Sequence, residues 1–191
     1  PHKINQCAFR KDFQVLDVVH FLSLLGQKCK EWGKPLFVLS ADVPKAFDET
    51  EFVHIVNACL EIDMPRIIIA YWIRELLSTY LIFEFDGVQS AKVPLIVGVL
   101  QGGKHSPGIF GRVLDYALCS FHDECVNRQL GICFEHEDGI GKHGYVTHIV
   151  FADNIWLVAG SFQDLCEMRN IAETLLRIKN FRLPISRCEL I

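Results

Sequence analysis

The chain has 191 residues, of which 50% are hydrophobic, and its formal net charge is −4 at pH 7. This composition can build a sizeable core in one domain, with or without a small lobe, and it excludes an intrinsically disordered chain. The acidic balance argues against a freestanding nucleic-acid binder, because binding to phosphates depends on Lys and Arg, so any basic surface must be local or supplied by another segment.

The cysteines and the most apolar stretch restrict the possible classes further. None of the eight cysteines forms a CxxC pair, which argues against a zinc knuckle. Most lie in apolar stretches, which predicts buried thiols in a reducing intracellular compartment, nuclear or cytoplasmic. Residues 67–85 are interrupted by Arg74 and Glu75, so no membrane span is expected. Because the chain begins at Pro1 and stops inside an apolar run, we expect a fragment of a longer protein.

The first predicted elements are a helix and a buried strand. Asp12 is placed to cap a helix that runs to about Trp32, and the turn Gly33-Lys34-Pro35 ends it. Residues 36–41 form a short apolar run after a proline, which favours a buried strand that leads directly into Asp42.

A pair of helices and a hairpin are predicted next. Thr50 starts a helix that breaks before Pro65, and proline is well suited to the first turn of the helix that follows. The dipeptide Asp86-Gly87 is a strong hairpin signal between strands over residues 81–85 and 88–97.

The rest of the chain adds a long helix, a second hairpin, another helix and a final strand. Asp153 and Asn154 form the tip of the hairpin, and Ser161 caps the last helix. The helices are predicted over residues 108–128 and 161–180, and the strands over residues 132–135, 145–151, 155–158 and 183–191. The mixture of antiparallel strands with helices predicts an α+β fold with helices on one face of a sheet.

Three segments carry polar residues at strand ends or in a glycine-rich loop. Asp42 ends a strand, Asp153 lies at a hairpin tip, and residues 101–107 precede the long helix. Each alone is more often an ordinary turn or helix cap. Together, two carboxylates on neighbouring strands would bind hard divalent cations, as in two-metal phosphoryl transfer. The loop lacks the spacing of a Walker-type phosphate loop, but its glycines would let a phosphate-bearing substrate approach.

The order and spacing of these segments resemble the polymerase motifs of reverse transcriptases, in particular the non-LTR retrotransposon and group II intron branch. Residues 5–10 match the fingers pattern Q-x-G-F-R, residues 42–48 match motif A (D-x-S-K-A-F-D), and residues 98–107 match motif B (G-x-x-Q-G-x-x-x-S-P). Residues 151–154 match motif C (Y/F-A-D-D), and residues 183–191 match motif D (L-N-x-x-K-C). The resemblance implies a polymerase palm with a ferredoxin-like antiparallel sheet backed by helices over residues 35–191, part of the fingers over residues 1–34, and no thumb.

The resemblance also implies roles for individual residues. Asp42, Asp153 and the backbone carbonyl of Val43 would bind two Mg²⁺ ions, or Mn²⁺ in their place. Phe47 would exclude a 2′-hydroxyl and so select deoxynucleotides, although packing in the core is an alternative role. The other implied nucleotide contacts are Gln101 and Gly102 near the sugar, the backbone N–H groups of Lys45 and Ala46 at the triphosphate, and Arg10, which is otherwise a surface arginine.

Several positions depart from the family pattern. Asn154 stands where the family has the second Asp of motif C, so one negative charge is missing from a site that would hold about +4 of metal charge. Pro44 removes a backbone donor from motif A, and Arg187 replaces the motif D lysine although arginine is a poor proton donor. Ala8 and His105 also replace family residues. We therefore expect an impaired RNA-directed DNA polymerase.

Two functions remain open on the sequence. A polymerase would bind an RNA template with a DNA primer and dNTPs, and Asp42 and Asp153 favour it. A non-enzymatic structural or interaction subunit would bind protein partners in a larger assembly, and Asn154 and Arg187 favour that alternative. A nucleotidyl cyclase shares a palm-like sheet, but residues 101–107 argue against it.

Overall fold

The computed structural model describes residues 6–9, 11–134 and 144–191. The chain divides into two compact units, one formed by residues up to Pro44 together with those from Leu114 onward, and the other by Lys45–Val113. In chain order the elements are α1 (Val15–Glu31), β1 (Phe37–Asp42), α2 (Phe52–Glu61), α3 (Arg66–Leu77), β2 (Tyr80–Leu81), β3 (Glu84–Phe85), β4 (Val88–Gln89), β5 (Val93–Pro94), α4 (Ser106–Asn127), β6 (Ile132–Phe134), β7 (Gly144–Val146), β8 (His148–Phe151), β9 (Asn154–Ala159), α5 (Phe162–Arg177) and β10 (Cys188–Leu190).

The first unit is organised by a four-stranded antiparallel sheet. Its strands lie in the order β10-β1-β9-β8, so β1 and β9 occupy the centre and β10 and β8 the edges. The chain passes through these strands as β1, β8, β9, then helix α5, then β10, which is the connectivity of a ferredoxin-like sheet. The predicted α+β class with an antiparallel sheet and helices is therefore confirmed.

Helix α5 packs against β9 and β1 through a single apolar stripe. Its buried side chains recur at three- and four-residue spacings, as the helical period requires: Leu165, Met168, Ala172 and Leu176. Full burial of one large apolar side chain contributes about 1.5–3 kcal/mol. The helix begins where the Ser161 hydroxyl accepts a hydrogen bond from the Asp164 N–H at 3.0 Å, so the predicted cap is confirmed.

The second unit contains the helix pair α2 and α3 and two short antiparallel ladders. At the predicted hairpin turn, Asp86 has φ 48° and Gly87 has φ 76°, which are the left-handed angles of a type I′ turn. The ladders are shorter than expected, β3 pairing with β4 and β2 with β5 over two residues each. Both Phe85 and Val88 are largely exposed, so no core extends the pairing.

Several element ends differ from the sequence-based expectation. Asp12 has φ 67° and does not cap α1, which begins where the Gln14 N–H donates to the Asp17 carboxylate at 2.6 Å. Thr50 lies two residues before α2, and its hydroxyl donates to the carbonyl of Ala46 at 2.7 Å. The final strand is only β10, because a 3₁₀ turn over Ile185–Arg187 interrupts the extended run.

The cysteines are less uniformly buried than expected. Cys29, Cys59 and Cys125 are buried, and Cys166 is exposed. Burial raises the pKa of the Cys125 thiol to about 12, which keeps it protonated and unreactive. None of the helices that the structure describes is long and apolar enough to cross a membrane.

A buried histidine accompanies the sheet of the first unit. His148, at the start of β8, is 5% exposed, and its Nδ1 lies 2.9 Å from the Thr147 hydroxyl, which in turn lies 2.9 Å from Nδ1 of His122 on α4. Burial, with a smaller contribution from His122, lowers the pKa of His148 to about 3. The imidazole is therefore neutral in the folded protein at neutral pH.

We predict that His148 makes the folded state sensitive to mild acid. Between pH 6.5 and 3 the unfolded chain binds a proton that folded His148 does not, so the free energy of unfolding falls as the pH falls, by up to about 1.4 kcal/mol per pH unit. Urea unfolding of the wild type and His148→Gln at several pH values measures this. The free energy of unfolding of the wild type should fall more steeply with falling pH than that of His148→Gln. Equal slopes for the two proteins would contradict the prediction.

Candidate active site

The acidic residues singled out in the sequence, Asp42 and Asp153, lie at the same end of the central strand pair. In the register of β1 and β9, Asp42 lies directly opposite Asn154. Asp153 is the preceding residue, and its carbonyl accepts a hydrogen bond from the Val43 N–H at 3.0 Å. The structure thus brings together Asp42, Val43, Asp153 and Asn154 within the first unit.

The carboxylate of Asp42 already has a cationic neighbour. Nη1 of Arg187 lies 3.3 Å from its Oδ2, although 145 residues separate the two in sequence. The Asp42 side chain is 32% exposed and that of Arg187 is 60% exposed. An ion pair with this exposure contributes only about 0–1 kcal/mol, so a divalent cation could displace the guanidinium.

The turn between β8 and β9 has an uncommon backbone conformation. Ala152 has φ 56°, the left-handed region, which a residue with a Cβ adopts rarely. Both of its backbone polar groups bond to the side chain of Gln6, the Nε2 donating at 2.8 Å and the Oε1 accepting at 2.9 Å. Sequence patterns assign Gln6 no role beyond its place in the fingers pattern, since nothing local signals a contact across 146 residues.

In the second unit, the segment after β1 is bonded to the approach of the glycine-rich loop. The Val99 N–H donates to the Phe47 carbonyl at 2.8 Å, and the Gly98 N–H donates to the Thr50 carbonyl at 2.9 Å. Gly98 has φ 90°, and a Cβ there would lie 2.8 Å from the carbonyl oxygen of Asp48. Only glycine allows this close backbone approach, which explains the first residue of the predicted motif B.

Most of the predicted nucleotide-binding residues belong to the second unit. Phe47 packs against Phe110, with ring centroids 4.7 Å apart, so its core-packing role is present. Lys45 has φ 52° in the turn that follows β1, and Ala46 is buried. Gln101 is exposed and is followed by Gly102 with φ 85°. Arg10 lies outside the described residues.

One departure from the family pattern has a local explanation. His105 stacks on Trp72, with ring centroids 5.7 Å apart and an interplanar angle of 30°. The two rings border a cavity of about 130 Å³, which is also lined by Lys104, Ser106 and Glu75. A larger residue at position 105 is thus accommodated by packing inside the second unit.

The donor atoms of the first unit suit a hard cation but form a sparse set. Asp42 and Asp153 offer carboxylate oxygens, Asn154 an amide oxygen and Val43 a backbone carbonyl, which are the oxygen ligands that Mg²⁺ and Ca²⁺ accept. Across residues 6–9, 11–134 and 144–191, no group of three or more His, Cys, Asp or Glu could hold a metal.

A ferredoxin-like antiparallel sheet with carboxylates at a central strand end and at the adjacent hairpin tip defines the class of palm-type polymerase folds. The family model described as "Reverse transcriptase (RNA-dependent DNA polymerase)" matches residues 2–191. The chain therefore belongs to the reverse transcriptase family. A comparison with curated protein sequences gives no match.

Solved telomerase structures share this fold. Apo telomerase of Candida tropicalis, truncated from its C-terminal domain, is 13% identical with a TM-score of 0.65, covering 93% of this chain and 35% of that one. Telomerase of Candida albicans in complex with a fragment of telomeric RNA is 11% identical with a TM-score of 0.59, covering 93% of this chain and 31% of that one. The chain thus spans about a third of these telomerases, and at such identity the likeness concerns the fold.

We predict that Gly98→Ala destabilises the second unit by about 2 kcal/mol or more, because the added Cβ meets the Asp48 carbonyl oxygen at 2.8 Å and the φ of 90° is strained for alanine. Gly108→Ala in α4 is the matched control, since nothing lies within 4 Å of its Cβ, and a gain of up to about 1 kcal/mol is expected there. Urea unfolding measures both. Equal stability of the two variants would contradict the close approach of the backbones.

Proposed function

We propose that this chain is an RNA-directed DNA polymerase domain of the non-LTR retrotransposon and group II intron branch, impaired at its metal site by Asn154. The observation that carries the proposal is the β1–β9 register, in which Asp42 lies opposite Asn154 while the neighbouring Asp153 bonds to Val43. The assignment to this branch rests on the motif patterns in the sequence.

In this proposal Asp42, Asp153 and the Val43 carbonyl bind divalent ions, Mg²⁺ or Mn²⁺. Such ions stabilise the charge on the transferring phosphoryl group and on the attacking and leaving oxygens. The template would be RNA and the product DNA, in line with the description of the family, and the primer would be DNA and the substrates dNTPs.

The second unit supplies the nucleotide contacts in this proposal. Phe47, held by its packing on Phe110, selects deoxynucleotides by leaving no space for a 2′-hydroxyl. The backbone N–H groups of Lys45 and Ala46 bind the triphosphate. Gln101 and Gly102 contact the nucleotide near its sugar, and Arg10 reaches the triphosphate from residues 1–34, the proposed partial fingers. Residues 35–191 are the proposed palm.

Two substitutions account for the proposed impairment. Asn154 has a neutral amide where a carboxylate would add a negative charge next to Asp42, so the site attracts a divalent cation less strongly. Arg187 places its guanidinium 3.3 Å from Asp42 and competes with a metal ion for that carboxylate. Arginine also stays protonated and is a poor proton donor to a leaving pyrophosphate.

Primer extension on an RNA template tests the proposal, with Mg²⁺ and with Mn²⁺. The wild type, Asp42→Ala, Asn154→Asp and Asn154→Asp with Asp42→Ala are compared, and Mn²⁺ affinity is measured in parallel by electron paramagnetic resonance. We predict that Asn154→Asp tightens Mn²⁺ binding at least about tenfold, because the charge of the ligands sets the affinity for hard cations. Extension should appear in Asn154→Asp alone and disappear when Asp42 is also replaced.

Each other outcome has a defined meaning. Asp42-dependent extension by the wild type would establish a polymerase and refute the impairment by Asn154. Unchanged Mn²⁺ affinity in Asn154→Asp would refute the metal site. Tighter Mn²⁺ binding without extension by any variant would favour the alternative below.

The alternative function is a non-enzymatic structural or interaction subunit that binds protein partners in a larger assembly. The ion pair between Arg187 and Asp42 favours it, since this pair neutralises a proposed metal ligand. Apolar side chains exposed around the β3–β4 hairpin of the second unit also favour it. They are Ile82, Phe83, Phe85, Val88 and Ile96.

A further inference from the structure

Gln6 is a buried amide whose side chain makes three hydrogen bonds to backbone groups within the part of the chain that the structure describes. It is 3% exposed. Its Oε1 accepts from the N–H groups of Ala152 at 2.9 Å and Ala8 at 3.0 Å, and its Nε2 donates to the Ala152 carbonyl at 2.8 Å. The orientation of the amide is fixed by these partners, because a flipped amide would face two N–H donors with another donor.

Two of these bonds are made to Ala152, whose backbone conformation a residue with a Cβ rarely adopts. Ala152 has φ 56°, so its conformation is maintained by surrounding contacts rather than by its own preference. The Gln6 carboxamide satisfies both backbone groups of Ala152, as a neighbouring strand would. Only Gln and the shorter Asn carry a carboxamide, which places a neutral donor and a neutral acceptor on the same carbon.

The backbone on both sides of this contact is also fixed. Gln6 forms a parallel bridge with Val150, and the Cys7 N–H donates to the Val150 carbonyl at 2.8 Å, which holds this segment beside β8. On the other side of the turn, the Asp153 carbonyl accepts from the Val43 N–H at 3.0 Å. The turn is therefore held from two directions, by Gln6 and by the end of β1.

We propose that Gln6 is a positioning residue for the carboxylate site: its carboxamide holds Ala152 in the left-handed conformation and thereby sets where Asp153 stands relative to Asp42. Asp153 is the next residue after Ala152, so a change in the backbone angles of Ala152 redirects the Asp153 side chain. The consequence for metal binding rests on the proposed function. The control of the turn by Gln6 does not.

The test uses Gln6→Met, which keeps the length of the side chain and removes these three hydrogen bonds, and Gln6→Glu, which in its ionised form keeps both accepted bonds and loses the donated one. The control is Ser161→Ala, which removes the cap of α5 away from the turn. Amide hydrogen exchange at Ala152 and Val43 is measured by NMR. Mn²⁺ affinity is measured by electron paramagnetic resonance, with each variant made in the wild type and in Asn154→Asp.

We expect exchange at Ala152 to accelerate about tenfold in Gln6→Met, since the N–H loses its acceptor, and to stay slow in Gln6→Glu and Ser161→Ala. The Mn²⁺ dissociation constant in the Asn154→Asp background should rise about 10- to 100-fold in Gln6→Met, the range found when a group that orients a metal ligand is lost. It should rise less in Gln6→Glu and not at all in Ser161→Ala.

Other results separate the two proposals. Unchanged exchange at Ala152 in Gln6→Met overturns the inference. Faster exchange with unchanged Mn²⁺ affinity overturns the positioning role, because the turn would then loosen without moving Asp153. An equal loss of affinity in Ser161→Ala also overturns it, since general stability would explain the effect. If no chain binds Mn²⁺, including Asn154→Asp, the proposed metal site fails, and exchange at Ala152 alone decides whether Gln6 holds the turn.

Discussion

The pairing of β1 with β9 determines where every polar group of the candidate site lies. Six residues of β1 pair with β9, from Phe37 opposite Ala159 to Asp42 opposite Asn154. A slip of one residue would turn each side chain of β9 to the other face of the sheet and would take Asn154 away from Asp42. Ile155, Leu157 and Val158 are fully buried. The packing of the core and the geometry of the site thus follow from one constraint.

The chemistry of the site depends on side chains outside the buried core. Asn154 is partly exposed at the start of β9 and is not among the core residues. Arg187, also outside the core, lies 3.3 Å from Asp42. In the proposed impaired polymerase, substitutions at these positions change the charge of the ligand set, and a divalent cation responds strongly to that charge.

Contacts between backbones distant in sequence organise both units. In the second unit, Gly98 permits the close approach of residues 47–50, and this approach holds the segment that carries Phe47. In the first unit, the Gln6 side chain replaces a missing strand partner at Ala152. The two solutions differ because glycine removes a steric barrier, whereas glutamine supplies hydrogen bonds to a conformation that alanine adopts reluctantly.

The sequence alone predicted the features that depend on neighbouring residues: the α+β class, the Asp86-Gly87 turn, the Ser161 cap, and carboxylates at two strand ends. It predicted wrong helix starts at Asp12 and Thr50, because each residue fits several local roles and packing selects one. The tertiary structure alone decided that Asp42 faces Asn154, that Arg187 reaches Asp42, and that Gln6 holds Ala152. The last two contacts join residues 145 and 146 positions apart. Local patterns cannot specify them, since such contacts exist only once the core has fixed the strand order.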